Sequence, residues 1–228
     1  MRLIVLGSAG SAPGADRPCS GYLVEHDGYR LLLDLGPGAS MTMLRHVAAA
    51  DIDAVILSHL HSDHYSDLSQ MFRLRVEATR EPLPLYGPPG VESRFDGFAV
   101  TETTGGEMAL GPLAVRLAEV VHIEHTLATR IGDALCYTAD TEPCAAIEEL
   151  ADGARVLLAD ACGSDSRGPM RGHLTAGDAA RLSVKSGAKL LILTHLRPWD
   201  DHALLLAEAA AIATCPVILA LPGLTVAL

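Results

Sequence analysis

The sequence predicts an α+β protein, a mixed sandwich of strands and helices in a single domain over residues 1–228. Short apolar runs bounded by turn residues alternate with segments of helical periodicity along the whole chain. With 228 residues, 49% of them hydrophobic, and no repeat, low-complexity tract or linker dividing it, the chain can bury one sizeable core. Aromatic residues make up only 4%, so Leu, Ala and Val must fill that core.

The first strands are expected at residues 2–6, 21–25 and 30–34, the last two joined at Asp27-Gly28, a hairpin turn signal. A run at 54–57 follows, then a helical pattern at 66–79 and a strand at 83–86 closed by the turn Gly87-Pro88-Pro89-Gly90. Residues 103–107 read as a loop near the site, followed by strands at 113–121, 128–131 and 135–139. The C-terminal part alternates: helix 142–151, strand 155–159, helix 176–186, strand 190–194, helix 201–213 and strand 217–220. Thr175 is placed to cap the helix it precedes, and Gly187 to end it.

Composition excludes several classes. The N-terminus runs straight into Arg2-Leu3-Ile4-Val5-Leu6-Gly7 without the apolar region and cleavage site of a signal peptide. No apolar run approaches the roughly 20 residues of a membrane span. Five cysteines without C-x-x-C spacing suggest neither a disulfide framework nor a zinc knuckle, and a reducing cytoplasm fits them best. The net charge of −11 argues against long nucleic acid, which needs a basic stripe. Two divalent cations would raise it only to about −7. Arg73, Arg75 and Arg80, the one local concentration of positive charge, read as a solvated helix face. A small-molecule substrate, even an anionic one, remains compatible, because bound metal would set the local potential.

Function is written most clearly in Ser58-His59-Leu60-His61-Ser62-Asp63-His64, directly behind the apolar run ending at Leu57. His59 and His61 alternate along an extended backbone and can reach one ion from the same side, while Asp63 and His64 lie past the turn and point elsewhere. Two neighbouring metal ions are therefore expected. Gly7-Ser8-Ala9-Gly10-Ser11-Ala12-Pro13-Gly14 lacks the ending of a phosphate-binding loop and is expected at the site mouth, with backbone N–H groups available to a phosphate. His26, His46 and His202 have no motif around them and read as surface or capping residues.

The His59 to His64 pattern resembles the signature of the metallo-β-lactamase fold superfamily, and similar pieces follow in order: Val120-Val121-His122, Cys136-Tyr137-Thr138-Ala139-Asp140-Thr141 and Leu193-Thr194-His195. The resemblance covers nearly the whole chain and is weakest between Tyr65 and Ala118, a stretch expected to shape the pocket. It implies a four-layer αββα sandwich with ligands along one edge of the paired sheets. It also implies a binuclear centre: His59, His61 and His122 on one metal, Asp63, His64 and His195 on the other, and Asp140 bridging. Such donors suit Zn²⁺, with Mn²⁺ or Fe²⁺ as alternatives. His122 competes with His125 in the same segment; Arg130, eight positions after His122, matches the register of similar sequences. Asp34 matches an aspartate that supports the metal loop without binding metal.

Leu158-Ala159-Asp160-Ala161 and His173-Leu174-Thr175-Ala176 resemble the acid and H-x-T-A segments of the tRNase Z-like and phosphodiesterase branch. There the histidine donates a proton or positions substrate, held by a carboxylate; Asp160 stands where a glutamate is usual. Leu193-Thr194-His195-Leu196-Arg197-Pro198-Trp199 and Leu221-Pro222-Gly223 resemble the ends of actinobacterial atypical class II cyclic-AMP phosphodiesterases. The long arm that grips tRNA and an S-x-R-Y after the last histidine are missing. These features imply a metal-activated water attacking a small cyclic nucleotide or cyclic phosphate, with Asp63 accepting its proton and His173, oriented by Asp160, protonating the leaving oxygen. Hydrolysis of a thioester, lactone or other acyl bond is the alternative, and a metal-stabilised binding module the non-enzymatic one. Similar proteins are commonly homodimers.

Overall fold

The computed structural model describes residues 1–95 and 97–228. Two seven-stranded sheets pack face to face with helices on both outer sides, as the resemblance implies. The first sheet contains β1 (Arg2–Gly7), β2 (Gly21–His26), β3 (Tyr29–Leu35), β4 (Ala54–Ile56), β5 (Leu83–Gly87), β6 (Phe98–Glu102) and β14 (Thr225–Ala227), in the order β14-β1-β2-β3-β4-β5-β6. The second contains β7 (Gly105–Leu110), β8 (Leu113–Val120), β9 (Thr126–Ile131), β10 (Leu135–Tyr137), β11 (Val156–Asp160), β12 (Leu190–Thr194) and β13 (Val217–Leu219), in reverse sequence order.

Strand periodicity sorts the side chains between layers. Leu3 and Val5 of β1, Leu31 and Leu33 of β3, and Val156 and Leu158 of β11 fill the core between the sheets. Their alternates Ile4, Leu6 and Leu32 face an outer layer formed by α1 (Ala39–Met43) and α3 (Leu68–Thr79). Leu157 and Ala159 face the opposite outer layer of α4 (Ala145–Ala151), α5 (Ala176–Ser186) and α6 (His202–Ile212). Both faces of the central strands are buried, which is why they read as continuous apolar runs. The hairpin at Asp27-Gly28 has positive φ at both residues (47° and 83°), as an I′ turn requires. Thr175 and Asp178 form a reciprocal capping box on α5, and Gly187 ends the helix in the left-handed region.

Three strands escape the sequence pattern: β6, β7 and β14, each at a sheet edge and partly exposed. Residues 103–107 are accordingly not all loop, since β7 starts at Gly105. The helix expected at 66–79 is α3, starting two residues later, and a short helix α2 (Ser62–Tyr65) that the sequence pattern did not predict precedes it. Asp67 lies between them, its Oδ2 accepting from Ser40 N at 3.0 Å and Ser40 Oγ at 2.6 Å. Helix α4 starts three residues late because Glu142 is engaged elsewhere, donating its N–H to Val121 O and accepting from Gly172 N at 2.7 Å. Arg75 is not on a solvated face: it is buried, and its Nη1 donates to Ala50 O at 3.0 Å and Ile52 O at 2.6 Å. Arg73 and Arg80 are exposed as expected. No helix among the described residues is long and apolar enough to cross a membrane.

Candidate metal centre

The ends of β3, β4, β8, β10, β11 and β12 deliver the polar side chains to one edge of the sandwich. Three of the delivering residues have left-handed backbones, Asp34 (φ 57°), Ala139 (φ 52°) and His195 (φ 53°), a conformation that non-glycine residues adopt at local cost where the surroundings enforce it. These turns swing the chain out of each strand and into the site.

His59 Nε2 lies 3.0 Å from His61 Nδ1, and His122 Nε2 lies 3.1 Å from the same His61 Nδ1. The outer ring nitrogens fix the protons. His122 Nδ1 donates to Gly172 O at 2.6 Å, so its Nε2 carries a lone pair. Ser58 Oγ donates to Asp34 Oδ2 at 2.8 Å and therefore accepts from His59 Nδ1 at 3.0 Å, which makes His59 Nε2 a second lone pair. Two unprotonated nitrogens thus converge on a third with at most one hydrogen to share, an arrangement that a cation would relieve.

Asp140 Oδ2 joins this group to another. It is 3.6 Å from His59 Nε2, 3.4 Å from His64 Nε2 and 3.2 Å from His195 Nε2. Asp63 Oδ2 is 3.2 Å from His195 Nε2 and 3.7 Å from His64 Nε2. Candidate ligand atoms in each of the sets His59-His61-His122-Asp140 and Asp63-His64-His195 lie within 4.8 Å of one another. His64 Nε2 and Asp140 Oδ1 are buried without a hydrogen-bond partner, which is rare for polar atoms unless a ligand takes them. The donors fit divalent metal ions in both chemistry and placement. His125 stays outside, exposed and paired with Glu119. His26 and His46 are also remote, and His202 Nε2 donates to Arg197 O at 2.8 Å.

The electrostatics of the metal-free cluster follow from burial and mutual contact. Burial opposes charge on Asp140, yet His195 and His64 hold its carboxyl well below the usual range. Asp63 is lowered in the same way, against burial, by the His195 hydrogen bond and by His64. Burial would also depress His64, but Asp140 and Asp34 push it up to about 10. His59 goes the opposite way, since burial and the adjacent His64 pull it well below the ordinary histidine value.

Asp34 supports the loop at several points. Its Oδ1 accepts from Ser58 N at 2.7 Å, and its Oδ2 from His64 Nδ1 at 2.8 Å and Tyr137 OH at 2.7 Å. Two further groups support the site without being candidate ligands in the sequence: Tyr137, and Ser11, whose N–H donates to Asp63 Oδ2 at 2.7 Å. Neither Tyr137 nor Ser11 carries a sequence signal for this role, and the placement of Ser11 depends on a loop. That loop does not offer free N–H groups to a phosphate: those of Ser8 and Ala9 donate to Pro18 O, Gly10 to Leu196 O, Ala12 to Gly10 O and Gly14 to Arg17 O.

Asp160 reaches His173 despite its short arm, with Oδ2 3.0 Å from Nδ1. The His173 ring stacks on His195 with centroids 5.0 Å apart. Burial would depress His173, but Asp160 wins and raises it. A cavity of about 290 Å³ lies in front of these groups, lined by Ser11, His61, Ser62, Asp63, Asp140, His173 and His195. Among the described residues, none of its lining comes from the stretch between Tyr65 and Ala118, contrary to expectation.

Residues 29–196 match the family model of the β-lactamase superfamily domain. The chain belongs to that superfamily. Among curated relatives, the uncharacterized protein ML1173 of Mycobacterium leprae is 34% identical over 92% of this chain and 83% of its own length. The probable metallo-hydrolase YhfI of Bacillus subtilis is 29% identical over 93% of each chain. Its crystal structure superposes with a TM-score of 0.92 at 28% identity, covering 99% of this chain and 98% of that one. Ribonuclease Z of Myxococcus xanthus is 29% identical over 100% of this chain and 98% of its own. These similarities place this superfamily member in the tRNase Z-like branch as a metallo-hydrolase.

Proposed function

We propose that the protein is a binuclear metal-dependent phosphodiesterase acting on a small cyclic nucleotide or cyclic phosphate. His59, His61 and His122 would hold one ion, Asp63, His64 and His195 the other, with Asp140 between them. The imidazole-rich set favours Zn²⁺, with Mn²⁺ and Fe²⁺ as alternatives. When bound, the metals supply Lewis acidity toward the phosphoryl oxygens and acidify the attacking water.

The chain's own residues do the rest. Asp63, its carboxylate in the cavity, takes the proton of the attacking water. His173, oriented by Asp160, gives a proton to the departing alkoxide. The carrying observation is that His173, its Nδ1 3.0 Å from the buried Asp160 Oδ2, lines the same cavity as Asp63 and Asp140. A poor alkoxide leaving group needs such a donor. The ribonuclease among the relatives, whose name denotes RNA cleavage, supports phosphorus as the target. The net charge of −11 favours a small substrate over a polymer.

The test is hydrolysis of 3′,5′- and 2′,3′-cyclic AMP by Mn²⁺- or Zn²⁺-loaded protein, resolved by chromatography beside Asp63→Ala. Metal-dependent product absent from the variant supports the reading and identifies the P–O bond broken. No product from fully metallated protein, with turnover of a thioester or lactone, would reassign it as an acyl hydrolase. His173→Ala should cost about 10²–10⁴ on cyclic nucleotides and much less on nitrophenyl esters, whose leaving group needs no proton. Equal losses on both would remove His173 as proton donor.

A further inference from the structure

A cavity of about 560 Å³ lies behind the loop that carries Ser11, between that loop and α1. Its walls include the apolar surfaces of Pro13, Pro37 and Met41, and its polar lining includes Thr42, Arg17 and Arg45. In a chain with 28 acidic and 17 basic residues, most arginines should find a carboxylate. Neither Arg17 nor Arg45 has an ion pair or a side-chain hydrogen bond among the described residues, and Asp16, on the same wall, pairs with neither. Arg17 is half-buried, with its Nη1 shielded from solvent and unpartnered, and Arg45 is exposed. Burial also depresses the Arg17 guanidinium, as expected of a desolvated cation without a counter-charge.

The arginine is held in place. Gly14 N donates to Arg17 O at 2.9 Å and Arg17 N to Gly14 O at 3.3 Å, closing a turn that fixes where the side chain starts. Two arginines without carboxylate partners lining one cavity beside an apolar wall suit one kind of ligand, a small organic anion with a flat or apolar body. We infer that this cavity is a second binding site, separate from the metal centre, for a small organic phosphate whose phosphate meets Arg17 and Arg45 and whose body rests on Met41 and the prolines. The site requires no metal, so it stands or falls independently of the phosphodiesterase reading.

Met41 supplies the reporter, being 69% exposed on the cavity wall while Met43 and Met71 are buried in the core. Methyl-labelled methionine spectra of the metal-loaded protein, assigned with Met41→Leu, would be followed during titration with adenosine 5′-monophosphate and, separately, with adenosine. The Met41 methyl should shift saturably with the nucleotide and not with the nucleoside, and should do so equally after chelation. Arg17→Gln/Arg45→Gln should weaken that binding by about ten-fold or more, with the Met43 and Met71 signals unchanged as proof of folding. A Met41 signal that ignores the nucleotide, responds equally to adenosine, or keeps its affinity in the double variant would overturn the assignment.

Discussion

His64 Nδ1 donates to Asp34 Oδ2 at 2.8 Å, with both residues fully buried, and this bond fixes which ring nitrogen of His64 faces the site. Because Nδ1 carries the proton, Nε2 presents its lone pair toward Asp140 and Asp63 whenever the ring is neutral. Asp34 also receives Ser58 and Tyr137, so one carboxylate orients the His59 to His64 loop from beneath.

Asp34→Asn should therefore weaken metal binding by about 10–100-fold while leaving the fold intact. Asn tolerates the left-handed backbone at this position, so lost orientation and not lost structure is what the variant reports. Competition with a chromophoric chelator measures the affinity, and circular dichroism checks the fold. Unchanged affinity would show that Asp34 is only a turn residue.

Gly36 has no room for a side chain: a Cβ there would sit 1.9 Å from the Asp63 carbonyl oxygen and 2.8 Å from Cys19 Cβ. Gly36→Ala should push α2 away from β3 and, if the proposed ligand sets hold two ions, loosen the one assigned to Asp63, His64 and His195 more than the one assigned to His59, His61 and His122. Metal titration should then resolve two unequal steps, the weaker at least about ten-fold below wild type.

The metal-free protein should lose stability in alkaline solution. His64 has a folded pKa of about 10 against an ordinary value of 6.5, so its contribution is fully present below pH 6.5 and fades as pH rises toward 10. Bound metal takes the place of the proton and removes this dependence. Thermal melts from pH 6.5 to 10 should show a falling Tm for chelated protein and a flatter one for loaded protein. Parallel curves would contradict the placement of His64 at the metal.

Arg130 should matter for stability and not for chemistry. Its buried Nη1 donates to the carbonyls of Leu150, Ala151 and Asp152 at 3.1, 3.1 and 3.0 Å, closing the C-terminus of α4. Arg130→Met should cost about 3 kcal/mol, or about 6–12 °C in Tm for a chain of this size, with turnover below the transition unchanged. A large fall in turnover by folded protein would give Arg130 a role in the site.

Sequence legibility followed burial. The central strands, buried on both faces, are readable as apolar runs, and the His59 to His64 cluster is readable from its spacing, whereas His122, Asp140 and His195 as further candidate ligands follow only from the family resemblance. Edge strands β6, β7 and β14 are not readable, because half-exposed strands carry little apolar pattern. Arg75 was misplaced because charge alone does not show that its guanidinium reaches the carbonyls of Ala50 and Ile52. Ser11 and Gly36 act through loop and backbone contacts that only the folded chain creates.

Anomalous diffraction from crystals of the metal-loaded protein, recorded at the metal's absorption edge, tests the central claim most directly. Two peaks per chain are predicted, one among His59, His61 and His122, the other among Asp63, His64 and His195, with Asp140 touching both. A single peak, peaks elsewhere, or His125 in place of His122 would contradict the account.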